Sequence, residues 1–84
     1  MYVDCWQQNM VLWKVENELL TKFGKRIKEL RAEKGWTQED LAEVTKFHRT
    51  YIGMVERGER NISIKNAEVF ALAFEITLSK LFEL

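Results

Sequence analysis

The short stretch from His48 to Asn61 holds seven side chains able to donate hydrogen bonds. Arg49 and Thr50 open a segment of helical periodicity within it. The planar guanidinium of an arginine pairs with O6 and N7 of guanine together, and a threonine offers its hydroxyl to a base or its methyl to thymine. This pattern indicates recognition by hydrogen bonding.

The sequence has few residues that could carry out catalysis or bind a metal. His48 is the single histidine and Cys5 the single cysteine, so the two residues cannot assemble a zinc site alone, and Cys5 cannot form an internal disulfide. There is no phosphate-binding loop, nucleophile elbow, apolar run near the roughly 20 residues of a membrane span, or basic signal-peptide start. We expect a cytoplasmic binding protein, not an enzyme, with no cofactor or metal and no membrane contact.

Helical periodicity runs through almost all of the 84 residues, which include four glycines and no proline. Five helices are predicted in the body of the chain. An apolar stripe of Phe23, Ile27 and Leu30 marks the first, which Gly35 ends. The other four begin at predicted N-caps, in chain order Thr37, His48, Ser63 and Thr77. The fourth helix is expected to turn one apolar face inward, made of Ile64, Ala67, Phe70, Ala71 and Phe74.

The two short helices at 37–44 and 48–57 are separated by three or four residues, which is the helix-turn-helix arrangement. In that arrangement the N-terminal residues of the second helix reach base edges in the major groove of DNA. Gly53 inside this helix costs about 1 kcal/mol relative to alanine. Either a close approach to the groove or an exposed position that tolerates change would explain it.

Predicted DNA contacts divide into those to base edges and those to phosphates. Arg49 and Thr50 are expected at base edges, and Met54, one turn on, either touches a thymine methyl or packs within the protein. His48 is expected to cap its helix near a phosphate, without a metal role. Phosphate contacts are expected from groups that flank the groove, which are Gln38, His48, Tyr51, Arg57, Arg60 and Asn61.

The run from Phe23 to about Phe82 resembles the Cro/repressor-type (XRE) family of bacterial and phage DNA-binding domains. The family pattern of a TQ-x-x-LA helix, a turn, a recognition helix and a terminal ERG is met by Thr37, Gln38, Leu41, Ala42, Glu56, Arg57 and Gly58. The segment RTYIGMVERGERNISIKNAEV resembles more particularly the controller proteins of restriction–modification systems. The resemblance implies an all-α, five-helix, lambda-repressor-like domain over 23–84, with the helix-turn-helix at about 37–57 and a helical N-terminal extension over 1–22.

The resemblance also implies a partly buried ion pair between Arg31 and Glu56 that holds the first helix against the third. The alternative is two unconnected surface charges. In the turn between the two short helices, Lys46 stands where the family usually has glycine. A lysine at positive φ carries strain of about 1 kcal/mol or more. His48 also departs from the family's usual small cap residue.

A domain of this size covers half a site, and the Cro/repressor arrangement is a two-fold dimer that reads two half-sites about 34 Å apart. Apolar residues near the C-terminus exceed what one small core can take. They form the predicted dimer interface, made of Ile76, Leu78, Leu81 and Phe82. The rival surface is Trp6, Met10 and Trp13, in an extension that is a lid on the core, a contact with a second chain, or a disordered leader.

Positive charge is concentrated in the middle of a chain whose formal net charge is zero. Residues 24–66 hold ten basic and seven acidic side chains, and both flanking segments are acidic overall. Local asymmetry of this kind matters more than the sum for steering toward DNA. The alternative interpretation of these charges is an ordinary solvated surface.

These features together predict a dimeric transcriptional regulator that binds an inverted-repeat operator in double-stranded DNA. The resemblance implies a restriction–modification controller that acts on its own promoter, as activator or repressor, and that also contacts RNA polymerase. The alternatives are an antitoxin of the same fold that holds a toxin by its extension, or a phage-type repressor. An adaptor that contacts only protein is disfavoured by Arg49.

Overall fold

The computed structural model describes the backbone of residues 2–84 and the side chains of residues 17–84. Within that range the elements are five helices, and no strand is present. In chain order they are α1 (Tyr2–Glu33), α2 (Gln38–Thr45), α3 (Arg49–Glu56), α4 (Ile64–Ala73) and α5 (Leu78–Leu81). The all-α, five-helix fold predicted from the sequence is confirmed.

The N-terminal extension is part of α1, which is one continuous helix of 32 residues. No break in the helix marks the boundary placed at residue 22, so that boundary stays a prediction. The side chains of Trp6, Met10 and Trp13 lie outside the described residues. None of the helices in the described part of the chain is long and apolar enough to cross a membrane.

Each of the four later helices begins at the cap that the sequence predicts. Thr37 and Asp40 form a capping box, in which Thr37 Oγ1 accepts from the Asp40 N–H at 3.1 Å and Asp40 Oδ2 accepts from the Thr37 N–H at 2.9 Å. His48 Nδ1 accepts from the Thr50 N–H at 3.1 Å. The helices α4 and α5 begin in the same way at Ser63 and Thr77.

The core is filled by apolar side chains from all five helices. Phe70 lies at its centre, with its ring 6.4 Å from that of Phe23 and 5.3 Å from that of Phe47. Aromatic pairs at these separations add to the stabilisation from buried area. The buried apolar residues are Phe23, Ile27, Leu30, Leu41, Ile52, Val55, Ala67, Phe70, Ala71, Phe74 and Leu81.

Two predictions about apolar positions were wrong. Ile64, expected in the core, is 78% exposed. It is the first residue of α4, and side chains on a helix tilt toward its N-terminus, so the Ile64 side chain extends past the end of the core. Leu81, expected at the dimer interface, is fully buried because the single turn of α5 directs it into the core. Phe82, the next residue, is 45% exposed.

The turn between α2 and α3 consists of Lys46, Phe47 and His48. Lys46 has φ 66° and ψ 14°, which is the left-handed conformation. This conformation is the one expected at a position where the family usually has glycine. The buried Thr45 hydroxyl donates to the Leu41 carbonyl at 2.8 Å and accepts from the Phe47 N–H at 3.2 Å. These bonds and the packing of the Phe47 ring against the core hold the turn despite the strain at Lys46.

Helices α1 and α3 approach each other closely at Gly24. A Cβ atom on Gly24 would overlap the Val55 carbonyl oxygen and lie 2.6 Å from that of Glu56. Only glycine therefore allows the two helix backbones to lie in contact here. Nothing in the local sequence pattern around Gly24 indicates this contact.

The ion pair expected between Arg31 and Glu56 is formed, and it joins three helices. Arg31 Nε and Nη2 donate to the two Glu56 carboxylate oxygens at 2.7 and 3.0 Å, and Arg31 Nη1 donates to the Trp36 carbonyl at 2.9 Å. Gln38 Nε2 donates to Glu56 Oε1 at 3.0 Å. The two charged side chains are only 15% and 3% exposed. The hydrogen bond to Glu56 raises the pKa of Arg31 above its ordinary value.

Replacing Glu56 tests this network. We expect Glu56→Ala to lower the free energy of unfolding by roughly 3–5 kcal/mol, because it leaves the buried Arg31 charge without its partner. Glu68→Ala, at an exposed position on α4, is the matched control and should change it by less than about 0.5 kcal/mol. Urea unfolding followed by circular dichroism measures both. Equal stability of the two variants would contradict the structural role of Glu56.

Candidate nucleic-acid interface

Arg49 and Thr50 are both exposed at the start of α3. On the other side of this helix, Ile52 and Val55 are buried in the core. Since one face of α3 is held in the core, the orientation of the exposed face is fixed relative to the rest of the domain. The structure thus presents the two predicted base-contacting side chains together at one helix end.

Arg49 is paired with a residue that the sequence analysis did not assign. Its Nε lies 2.5 Å from Oε1 of Glu39, on α2, and both side chains are largely exposed. The pKa of Glu39 is lowered, chiefly by a hydrogen bond from its own backbone N–H and further by Arg49. The position of Glu39 in the first turn of α2 was visible in the sequence, but its contact with α3 was not.

Gln38, predicted to donate its amide to a phosphate, donates one amide hydrogen to Glu56 Oε1 at 3.0 Å. The reason is that Glu56 is buried beside the start of α2 and needs donors for its carboxylate. The side chain of Gln38 thus belongs first to the network that joins α2 to α3. Its second amide hydrogen is the one left for another acceptor.

Arg57 lies across α3 at the position of Gly53. A Cβ atom on Gly53 would be 3.1 Å from Arg57 Nη1 and 3.9 Å from Gln38 Oε1. Gly53 is buried, so the interpretation of an exposed position that tolerates change was wrong. Arg57 Nε also bonds to Glu59 Oε2 at 2.9 Å. Because Gly53 has no side chain, the guanidinium of Arg57 can lie close to α3 at this position.

Tyr51 is held by a neighbour from α4. Asn66 Nδ2 donates to the Tyr51 hydroxyl oxygen at 3.0 Å, which leaves the Tyr51 O–H proton for another acceptor. The Arg60 guanidinium lies 5.8 Å from the centre of the Tyr51 ring, a cation–π distance. Asn66 was not identified from the sequence, because nothing in its local pattern indicates a contact fifteen residues away.

The remaining candidates occupy the edges of this surface. His48 is exposed and its Nδ1 is used by the cap, which leaves Nε2 as the ring atom for another contact. Met54 is half-buried on α3, and Asn61 is exposed in the segment before α4. The structure therefore brings most of the predicted side chains to α3 and its two ends, around Arg49 and Arg57.

Comparison with known proteins agrees with this geometry. Residues 27–81 match the family model described as helix-turn-helix (HTH_3). The chain belongs to the helix-turn-helix family. Among its helix-turn-helix relatives, it is 40% identical over 67 residues to the control protein C.MunI of a Mycoplasma species, an alignment that covers 79% of this chain and 90% of that protein.

Solved helix-turn-helix structures are similar over most of the chain. The restriction–modification controller protein C.AhdI of Aeromonas hydrophila superposes with a TM-score of 0.71 at 47% identity, over 74% of this chain and 94% of that one. The controller protein C.Esp1396I, solved as a tetramer in complex with its natural 35-base-pair operator, has a TM-score of 0.71 at 45% identity. That superposition covers 77% of this chain and 86% of the other.

Two glycines inside helices allow a matched test of the packing. We expect Gly53→Ala to raise the free energy of unfolding by up to about 1 kcal/mol, because alanine favours the helix and the flexible end of Arg57 moves aside. Gly24→Ala should lower it by about 1–3 kcal/mol, because the new methyl group meets backbone atoms of α3 that cannot move separately. Chemical denaturation gives both values. A stabilised Gly24→Ala variant would mean that α1 and α3 are not in close contact.

Proposed function

We propose that this helix-turn-helix protein is a sequence-specific transcriptional regulator that binds duplex DNA with α3 in the major groove. The observation that carries the proposal is the exposure of Arg49 and Thr50 at the start of α3, on a helix whose opposite face is buried. Residues at that end of the second helix reach base edges in helix-turn-helix complexes. A rigid helix places them in one register along the groove.

Side chains on and beside α3 are placed where they could contact phosphates in the same orientation. Tyr51 has a hydroxyl proton for an acceptor, and Arg60 lies beside its ring. Arg57 lies at the other end of the helix. Contacts of this kind set the position of a protein on DNA without reading its sequence.

Regulation of restriction–modification genes, including its own promoter, is the role we propose for the chain. The support is the likeness to control protein C.MunI over nine-tenths of that protein's length and to two solved controllers. Such a role needs DNA binding and no catalysis, so we propose that the protein is not an enzyme and acts in the cytoplasm, where bacterial DNA lies. Contact with RNA polymerase stays a prediction.

We further propose that the protein acts as a dimer. Leu19, Ile64 and Phe82 are exposed apolar side chains that line one cleft between α1, the start of α4 and the C-terminal end of the chain. A second copy that covered this surface would remove apolar area from water, at roughly 25 cal/mol per Å². Of the predicted interface, Phe82 fits this role, Ile76 and Leu78 are half-buried, and Leu81 is excluded by its place in the core.

A footprint on the DNA upstream of the protein's own gene, at near-physiological salt, tests the proposal. We expect two symmetry-related protected patches about one helical turn, or 34 Å, apart. Protection of one patch would contradict the dimer. Salt-sensitive binding without any footprint would contradict sequence-specific recognition.

Arg49→Ala should weaken binding to the protected sequence by roughly 1–3 kcal/mol and relax the preference at one base pair, because a bidentate contact to guanine is lost. Competition binding with duplexes that vary each position in turn measures the preference. An equal loss on every sequence would show that Arg49 contacts only phosphate.

Arg57→Ala should weaken binding to all sequences alike and lower the slope of log K against log salt by about 1, because a phosphate contact releases a counterion. The matched control is Lys80→Ala, at an exposed position on α5, which should leave the slope unchanged. Salt titrations of both variants measure this. A changed base preference in Arg57→Ala would contradict its assignment to the phosphate backbone.

A further inference from the structure

Two arginines at the proposed DNA surface are each paired with an exposed glutamate, and the two pairs differ in kind. Arg57 and Glu59, with Nε and Oε2 2.9 Å apart, are two residues apart in the chain. Arg49 and Glu39, with Nε and Oε1 2.5 Å apart, belong to different helices of the helix-turn-helix. A pair across two packed helices restrains the arginine relative to the body of the domain.

The carboxylate of Glu39 is itself well positioned. It lies in the first turn of α2, whose start is fixed by the Thr37–Asp40 capping box. It accepts a hydrogen bond from its own backbone N–H, which lowers its pKa. Nearby, Gln38 is tied to the buried Glu56. The backbone that carries Glu39, the partner of Arg49, is therefore held in a fixed position.

We propose that Glu39 is a positioning residue that holds Arg49 in the orientation for reading a base, and so raises sequence specificity without contacting DNA itself. The inference rests on the proposed function of α3. A carboxylate on Nε occupies the side of the guanidinium and leaves its end, with Nη1 and Nη2, to form the fork against guanine O6 and N7. Arg49 then loses less conformational freedom when it binds.

The same carboxylate acts against binding to the wrong sequence. With Glu39 beside it, Arg49 carries little net charge toward a nearby phosphate, so it contributes less to attraction that any DNA would exert. A repulsive element of this kind improves discrimination even where it does not improve affinity. Glu59 beside Arg57 weakens attraction to phosphates equally on all sequences, because a phosphate contact does not depend on the base.

The two glutamates give a matched experiment with Glu39→Gln and Glu59→Gln. Affinities for the footprinted sequence and for a scrambled duplex of equal length are measured over a range of salt. We expect Glu39→Gln to lower the ratio of the two affinities about two- to fivefold, the size of coupling between exposed charges. Glu59→Gln should strengthen binding to both duplexes alike and keep the ratio. Unchanged melting temperatures establish that the fold is intact.

A double-mutant cycle with Arg49→Ala separates positioning from direct contact. If Glu39 acts through Arg49, Glu39→Gln has no further effect on the ratio in the Arg49→Ala background. A persistent effect there would mean that Glu39 reads a base itself, for example a cytosine amino group, and would overturn the proposal. An unchanged ratio in Glu39→Gln alone would also overturn it. A wild-type protein without preference for the footprinted sequence would overturn the proposed function, and the role of Glu39 with it.

Discussion

The placement of the helices depends on the carboxylate of Glu56. It is almost fully buried and accepts three hydrogen bonds, two from Arg31 on α1 and one from Gln38 on α2. A buried charge is tolerated only when its hydrogen-bonding capacity is satisfied, so α1 and α2 must bring their donors to the end of α3. The close contact of α1 and α3 at Gly24 acts on the same pair of helices. The Glu56 hydrogen bonds and the Gly24 contact together fix the direction in which the exposed end of α3 points.

Buried and exposed charges have different parts in this molecule. The Arg31–Glu56 pair lies out of solvent and determines geometry, since loss of either partner leaves an unpaired buried charge. The pairs of Arg49 with Glu39 and of Arg57 with Glu59 are solvent-exposed. Exposed pairs contribute little to stability. Such arginines can therefore meet DNA while the fold stays unchanged.

One of the two non-glycine residues with positive φ in the described part of the chain lies in the turn of the helix-turn-helix. Lys46 adopts a left-handed conformation that glycine would adopt without strain. The Thr45 hydroxyl and the buried face of Phe47 hold the turn from both sides. Strain of this kind persists only where the surrounding structure determines the backbone, and here the Thr45 hydrogen bonds and the packing of Phe47 do so.

The sequence by itself determined the features that depend on neighbours within about one helical turn. These are the caps of α2 to α5, the stop at Gly35 and the apolar stripe of α1, and all were predicted because capping and helical periodicity are local. The Arg31–Glu56 pair followed from the family resemblance, not from the local pattern. Only the tertiary structure decided which apolar residues are buried, as with Ile64 and Leu81, and which polar groups meet, as with Gln38 and Glu56 or Glu39 and Arg49. The physical reason is that these contacts depend on how separate helices pack, and a periodic pattern specifies the face of a helix but not the residue that lies opposite to it.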